Sequence, residues 1–198
     1  MDWSKLLLHG GKEVESSMKQ LSFTHLHSAA GIFVNRVIAY FDDCIFLGKD
    51  LKRVKQAKEA FMEIWECWDL GEAKEFLKMR IWCEGHKLIL DQHDYLDKIV
   101  QHFNLQKSNA AHMPLPFGYE PEENKETATA THWLEYQSVI GSLLYIMLGT
   151  WPDAFFGIIE MVQFSANPLQ KHMDVSKHIL RYLNTTHSLS LVLLTRVW

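Results

Sequence analysis

The stretch from Arg36 to Gly48 constrains this chain more than any other: two adjacent carboxylates, Asp42 and Asp43, interrupt an otherwise apolar and aromatic run. Val37, Ile38, Ala39, Tyr40 and Phe41 precede the acids, and Cys44, Ile45, Phe46 and Leu47 follow them before Gly48. β-branched and aromatic residues on both sides favour strands, so the pair is expected at the tight turn of a hairpin. Two hard oxygen ligands on one rigid support suit Mg²⁺, which takes one or two carboxylates and completes its shell with water and phosphate. Asp is also a common turn residue, because its short side chain bonds its own backbone. The dipeptide alone leaves both readings open.

Composition narrows the setting. Of the 198 residues, 47% are hydrophobic, enough for a real core and too many for a disordered chain. A net charge of −4 and a pI near 6.2 give no overall basic footprint, so any nucleic-acid contact must be local. Cys44, Cys67 and Cys83 are odd in number and far apart, which supports neither a disulfide framework nor a zinc module and points to a reduced, intracellular compartment. The first residues lack the basic and long apolar regions of a signal peptide, and no apolar run approaches a membrane span. The 11 histidines are scattered, with His25 and His27 the one close pair.

Along the chain, Trp3, Leu6, Leu7, Val14, Met18 and Leu21 predict an amphipathic helix, weakened at Gly10-Gly11. Ile32 to Val34 reads as a short strand turning at Asn35-Arg36 into the strand from Val37. Asp50 is a credible N-cap for a helix to about Trp65, with Leu51, Val54, Ala57, Phe61 and Ile64 facing the core. Its other face carries Lys49, Lys52, Arg53, Lys55 and Lys58, a pattern that a solvated face or a phosphate contact would both explain. Two strand-like runs, Phe76 to Trp82 and Lys87 to Gln92, flank Glu84-Gly-His86 as a second hairpin. Asp91 can cap the helix that Tyr95, Leu96, Ile99, Val100 and Phe103 define. Periodicity disappears from Lys107 to about Thr131, an acidic stretch with Pro114, Pro116 and Pro121. Helices follow over Trp133 to Leu148, Pro152 to Ser165 and Pro168 to Leu183, then a terminal strand over Ser188 to Leu194.

In this order the segments resemble the C-terminal half of the reverse transcriptase of copia-type LTR retrotransposons, across nearly the whole chain. Leu21 to Val34 is similar to the family's approach to its catalytic hairpin, and Tyr40-Phe-Asp-Asp43 stands where the family has Tyr-Val-Asp-Asp. Asp69 to Ile81 resembles the segment after the palm helix, including the hairpin that grips the primer end, and Leu90 to Tyr95 resembles the opening of the first thumb helix. Tyr136 to Tyr145, Thr150-Trp-Pro-Asp153, Gln163-Phe164, Pro168 with His172, and Arg181-Tyr-Leu183 follow in the family's order.

The resemblance implies an α+β fold, with a partial polymerase palm over 1–92, a helical thumb over 93–186 carrying the 107–131 loop, and from 187 the start of a connection toward an RNase H domain. It implies RNA-directed DNA polymerase (nucleotidyltransferase) chemistry, in which two metal ions, Mg²⁺ or Mn²⁺, clamp the attacking 3′-oxygen and the leaving pyrophosphate. Asp42 is then the direct ligand and Asp43 the supporting one. Tyr40, Phe41, Lys78 and Arg80 would lie along the primer, Lys52, Arg53 and Lys55 would add a weaker nucleic-acid contact, and the partners are an RNA/DNA primer–template and other parts of a Pol polyprotein, with no membrane.

Departures from the pattern lower the expected activity. The family's third catalytic carboxylate lies on a strand upstream of Asp42, yet Asp2, Glu13 and Glu15 are the acids before the box and fall in the expected N-terminal helix. The fingers and the RNase H domain are not expected within these residues. Phe41 replaces Val, Lys78 and Asn184 replace Gly, Trp151 replaces Arg, and Ala29-Ala30 replace an Asp-Pro turn. The resulting expectation is a truncated, inactive remnant, with a sheet edge exposed where the upstream strand would pair and marginal stability in consequence. A non-catalytic nucleic-acid or protein binding module is the alternative.

Overall fold

The computed structural model describes residues 2–8, 24–25, 32–34, 37–40, 43–48 and 50–194. They combine antiparallel sheet with helix, an α+β arrangement. The chain forms two compact units, Met1–Phe76 and Leu77–Trp198. The division falls before the change of character that the sequence suggests after Gln92.

The first unit is built on a six-stranded sheet. Its strands are β1 (Asp2–Leu8), β2 (Thr24–His25), β3 (Ile32–Val34), β4 (Val37–Tyr40), β5 (Asp43–Gly48) and β6 (Cys67–Glu72). They lie in the order β2-β3-β4-β5-β1-β6. The expected hairpins are present, Phe33 pairing with Val37 and Tyr40 with Asp43.

Two expectations about the start of the chain fail together. Asp2 to Leu8 is a strand, not the first part of a helix, and it lies between β5 and β6. Its register on β5 runs from Asp2 opposite Gly48 to Leu7 opposite Asp43. The spacing of Trp3, Leu6 and Leu7 fits a helix, but Leu6 to Leu8 is equally a continuous apolar run, and such a run is ambiguous between a buried strand and a helix. Backbone hydrogen bonds to two neighbours decide it here, a tertiary gain that outweighs local propensity. The flank of β5 expected to be exposed is therefore covered, and that ground for marginal stability falls away. The remainder of the predicted N-terminal helix lies outside the described residues.

Helix α1 (Leu51–Ile64) follows, and the Asp50 carboxylate caps it by accepting the Lys52 N–H at 2.9 Å. Val54 and Phe61 are its buried residues, whereas Leu51 and Ile64 are exposed, contrary to the predicted core face. The apolar stripe is narrower than the sequence pattern because Phe61 fills the contact with β5 (Phe46 edge-on to Phe61 at 5.5 Å) and stacks with Trp65 at 6.4 Å. Cys44, Ile45 and Phe46 are all buried in β5, so the hairpin is anchored through its second strand. The short β7 (Glu75–Phe76) ends the unit.

In the second unit, β8 (Met79–Glu84), β9 (Lys87–Asp91) and β10 (Leu191–Leu194) lie side by side with β9 in the middle. Gly85, at φ +59°, opens the turn between β8 and β9, as the sequence suggests for a glycine hairpin. Helix α2 (His93–His102) buries Leu96, Ile99 and Val100, as the spacing predicts. The other helices are α3 (Ala130–Gly149), α4 (Phe155–Val162) and α5 (Gln170–Thr185), with a 3₁₀ turn at Pro152–Ala154 leading into α4. Their core holds Tyr136, Leu143, Ile146, Ile158, Met161, Ile179 and Leu183, each below one tenth exposed.

The aperiodic stretch after α2 carries no helix or strand before α3, yet side chains of α5 and of the segment before it hold its backbone. Thr185 accepts the Ala111 N–H at 3.0 Å and His178 Nε2 donates to the Met113 carbonyl at 3.0 Å. Asn167 accepts from the Ala128 N–H at 2.9 Å and donates to the Glu126 carbonyl at 2.8 Å. Fixed loops need such partners because buried backbone polar groups must be paired.

Candidate functional site

Tyr40 closes β4 and Asp43 opens β5. Asp43 is thus a strand residue rather than a turn residue, with Tyr40 in register on one side and Leu7 of β1 on the other. Phe41 and Asp42, the other candidates in the box, lie outside the described residues. The hairpin forms because apolar strand formers flank a polar break, and it is fixed because Cys44, Ile45 and Phe46 are buried immediately beyond Asp43.

A two-metal centre needs carboxylates from the hairpin and from a neighbouring strand. The register position on β1 beside Asp43 is Leu7, which cannot ligate a metal. Asp2, the acid of β1, pairs with Gly48 at the far end of β5. Among the described residues no group of three or more His, Cys, Asp or Glu side chains is disposed to hold a metal ion. The described residues therefore do not fit a two-metal donor set.

Lys78 and Leu77 turn the chain into β8, both in the left-handed region at φ 56° and 51°. The Leu77 carbonyl accepts a hydrogen bond from the Tyr145 hydroxyl, which fixes the turn from α3. Lys78 itself is exposed.

Arg80 is engaged within the protein. Its Nε donates to Asp91 Oδ1 at 2.8 Å, and its Nη2 donates to His93 Nδ1 at 2.9 Å. His93 Nε2 in turn donates to the Leu189 carbonyl at 3.0 Å, which sets the neutral tautomer with Nδ1 as acceptor. Asp91 is almost fully buried, and Oδ1 also accepts the His93 N–H at 3.1 Å, so it supports the start of α2 from just before the cap position. That hydrogen bond from Arg80 to the Asp91 carboxylate is the largest influence raising the guanidinium pKa above its ordinary value. About half of the Arg80 side chain stays exposed, so a fixed cation faces solvent at this position.

On α1, Arg53 and Lys55 are highly exposed, and each makes a long ion pair of 3.8 Å, with Asp50 and Glu59 respectively. Lys52 is also exposed. Lys58 differs, since it is largely buried against Asp69 at 2.6 Å. The exposed triad is available to an external anion and Lys58 is a structural cation.

The sequence reading missed a polar junction at the base of α3. Gln92 is buried, its Oε1 accepts the Thr150 hydroxyl at 2.9 Å, and its Nε2 donates to the Tyr145 carbonyl at 3.4 Å. A Cβ at Gly149 would lie 2.2 Å from Gln92 Oε1, so an added methyl would displace the end of the Gln92 side chain. The glycine at the end of a periodic run was the available signal. Two further ionisable groups serve the core. Burial pushes the Tyr136 phenol up to about 12, and the Tyr136 hydroxyl donates to the Met161 carbonyl at 2.6 Å. Burial, and then a hydrogen bond to Asp153, pushes Tyr182 up to about 12.

The described residues form an α+β protein: antiparallel hairpins, a helix packed on the first sheet, and a helical unit. The comparisons identify which kind. Residues 11–116, 106 of the 198, match the family described as reverse transcriptase (RNA-dependent DNA polymerase), and the chain belongs to that family, with the copia-type retrotransposon Pol polyproteins. It is 28% identical over 188 residues to the retrovirus-related Pol polyprotein from transposon TNT 1-94 of Nicotiana tabacum, covering 87% of this chain and 14% of that one. A putative transposon Ty5-1 protein of Saccharomyces cerevisiae is 21% identical, covering 91% and 61%. The Pol polyprotein from transposon RE1 of Arabidopsis thaliana is 24% identical, covering 88% and 12%. The chain thus spans a small part of the long polyproteins and less than two thirds of the Ty5-1 protein. No solved structure matches it. Among the described residues no helix is long and apolar enough to cross a membrane.

Proposed function

We propose that the first unit derives from a polymerase palm and the helical unit from a thumb, and that the chain engages an RNA/DNA primer–template without extending it. The supporting observation is the register around Asp43, where β1 contributes Leu7 rather than a carboxylate. Reverse transcriptases use divalent metal, and Asp42 with Asp43 would hold Mg²⁺ or Mn²⁺ weakly; the ion supplies charge neutralisation at reacting phosphates when a full donor set is present. Tyr40, Phe41, Lys78 and Arg80 are proposed along the primer strand. The setting is intracellular, with other parts of a Pol polyprotein as partners.

Primer extension with the purified chain in Mg²⁺ and in Mn²⁺ tests this directly. We expect no product above background. Robust extension that Asp42→Asn abolishes would refute the proposal of inactivity.

The second reading, a nucleic-acid binding module independent of any catalytic hairpin, is favoured by the exposure of Lys52, Arg53 and Lys55. Binding to a duplex should weaken with salt as counterions are released, and replacing all three with Ala should flatten the slope by about 2–3. Duplex binding indifferent to that replacement removes this reading and leaves the primer-strand residues as the contact.

A further inference from the structure

We propose that Asp91 and His93 are positioning residues, which lock the Arg80 guanidinium into a preformed clamp for one backbone phosphodiester of a nucleic-acid duplex. The inference rests on the placement of Arg80 along the primer strand, and adds what holds the side chain and which of its edges binds. Arg80 on β8 is the register partner of Asp91 on β9. Directly opposed residues of an antiparallel pair share one face, so the two charges meet without any change of backbone. Nε and Nη2 are the engaged nitrogens, bonded to Asp91 Oδ1 and His93 Nδ1. They form one edge of the planar fork. Nη1, with both its hydrogens, has no partner among the described residues, and 47% of the side chain is exposed. The remaining Nη1–Nη2 edge is a parallel pair of donors, the geometry that two oxygens of a phosphate accept.

Each joint of the lock is itself fixed. Asp91 is buried, with 1% exposure. The His93 ring cannot swing freely, because its Nε2 donates to the Leu189 carbonyl at 3.0 Å and it stacks on His187 at 4.7 Å. His187 Nε2 lies 3.0 Å from Asp97 Oδ1, which holds the outer ring in turn. A surface arginine ordinarily gives up its rotamer freedom only when it binds. Arg80 has given it up in the folded chain. Excess charge is not the source of the effect, since Asp91, Asp94 and Asp97 all act on Arg80 and offset part of its attraction for a polyanion. Direction carries the contact.

Equilibrium binding of the full chain to an RNA/DNA primer–template duplex, over a range of salt concentrations, is the test. Arg80→Ala should weaken binding roughly five- to tenfold near about 0.1 M salt and lower the salt slope by about 1, the loss of one phosphate contact. His93→Gln keeps a donor for the Leu189 carbonyl but no acceptor for Arg80. It should weaken binding roughly two- to tenfold, the cost of ordering one long side chain on binding. His93→Asn, whose Oδ1 falls where Nδ1 stood, should restore most of that loss. With Arg80→Ala already present, His93→Gln should have no further effect, a result that a merely structural histidine would not give. Circular dichroism and melting check that each variant folds. On the unsubstituted chain, the Arg80 Nε–H resonance should be observable at neutral pH before duplex is added, because its bond to Asp91 slows exchange. Unchanged binding by Arg80→Ala, or no duplex binding even at low salt, would overturn the inference together with the place of Arg80 on the primer. A loss in Arg80→Ala would leave that place standing, and four results would then overturn the inference alone: no effect of His93→Gln, an effect that persists without Arg80, no recovery in His93→Asn, or an Nε–H signal lost to exchange.

Discussion

The two units are stabilised by different kinds of contact. In the first, the sheet joins segments far apart in the chain: β1 pairs with β5 and β6, so Leu7 meets Asp43 on one side and Trp68 on the other. In the second, most of the core comes from helices whose buried positions recur within each element, as with Leu96, Ile99 and Val100 on α2. Long-range pairing carries a loop-closure cost that local helical contacts avoid. The sheet unit therefore depends on a few non-local anchors, and the helical unit on many interchangeable ones.

Removing an anchor from the sheet unit should give the largest effect. Phe61 is fully buried against Phe46 and Trp65, and Phe61→Ala should cost about 3–5 kcal/mol, the range for deleting a buried aromatic ring. Chemical denaturation combined with amide exchange in β5 and α1 measures it. A loss below about 1 kcal/mol would show that the cavity collapses and that Phe61 is not an anchor. In the helical unit, Gly149→Ala should cost about 1–3 kcal/mol, because the added methyl displaces Gln92 and leaves buried polar groups without partners. Combining Gly149→Ala with Gln92→Ala should recover part of that loss, and additive losses would place the clash elsewhere.

Legibility in the sequence followed the same division. The helices after Asp91, the two hairpins and the Asp50 cap are readable because each is specified within a window of a few turns. β1 is not, because Trp3, Leu6 and Leu7 satisfy a helical period and the strands that claim them begin at Asp43 and Cys67. The same blindness concealed Leu7 beside Asp43, the fact that bears most on the catalytic reading. Arg80 was legible as a cation of the second hairpin, but its engagement by Asp91 and His93 was not, since it joins β8 to the start of α2. Gln92 and Gly149 escaped for that reason too: neither residue is unusual until the fold brings them together.

A smaller effect in the helical unit depends on pH. His172 is fully buried on α5, where its Nδ1 accepts the Leu169 N–H at 3.0 Å and its ring stacks on Phe164 at 3.8 Å. Burial lowers its pKa below the ordinary histidine value, and burial likewise lowers that of His178. The unfolded chain then binds these protons more readily than the folded one, so stability is present above the unfolded pKa of about 6.5 and declines as pH falls through it. Melts between about pH 7.5 and 5.5 should show this decline in helical signal, and His172→Gln should reduce the slope. A melting temperature independent of pH in that window would remove His172 from the account.

The smallest change is the most informative about the turn that leads into β8. Leu77 and Lys78 both occupy the left-handed region, which costs an ordinary L-residue about 1–2 kcal/mol. Lys78→Gly relieves that strain but adds about 0.5–1 kcal/mol of unfolded-state entropy. The net expectation is a gain of about 1 kcal/mol or less, read as a small rise in denaturation midpoint with unchanged m-value. Duplex affinity then decides what Lys78 is for. If the lysine meets a phosphate, Lys78→Gly should stabilise the fold while weakening binding uniformly across sequences and lowering the salt slope by about 1. Higher stability with unaltered binding would make Lys78 a tolerated strain in a turn held by Tyr145, and would leave Arg80 as the cation of the second hairpin.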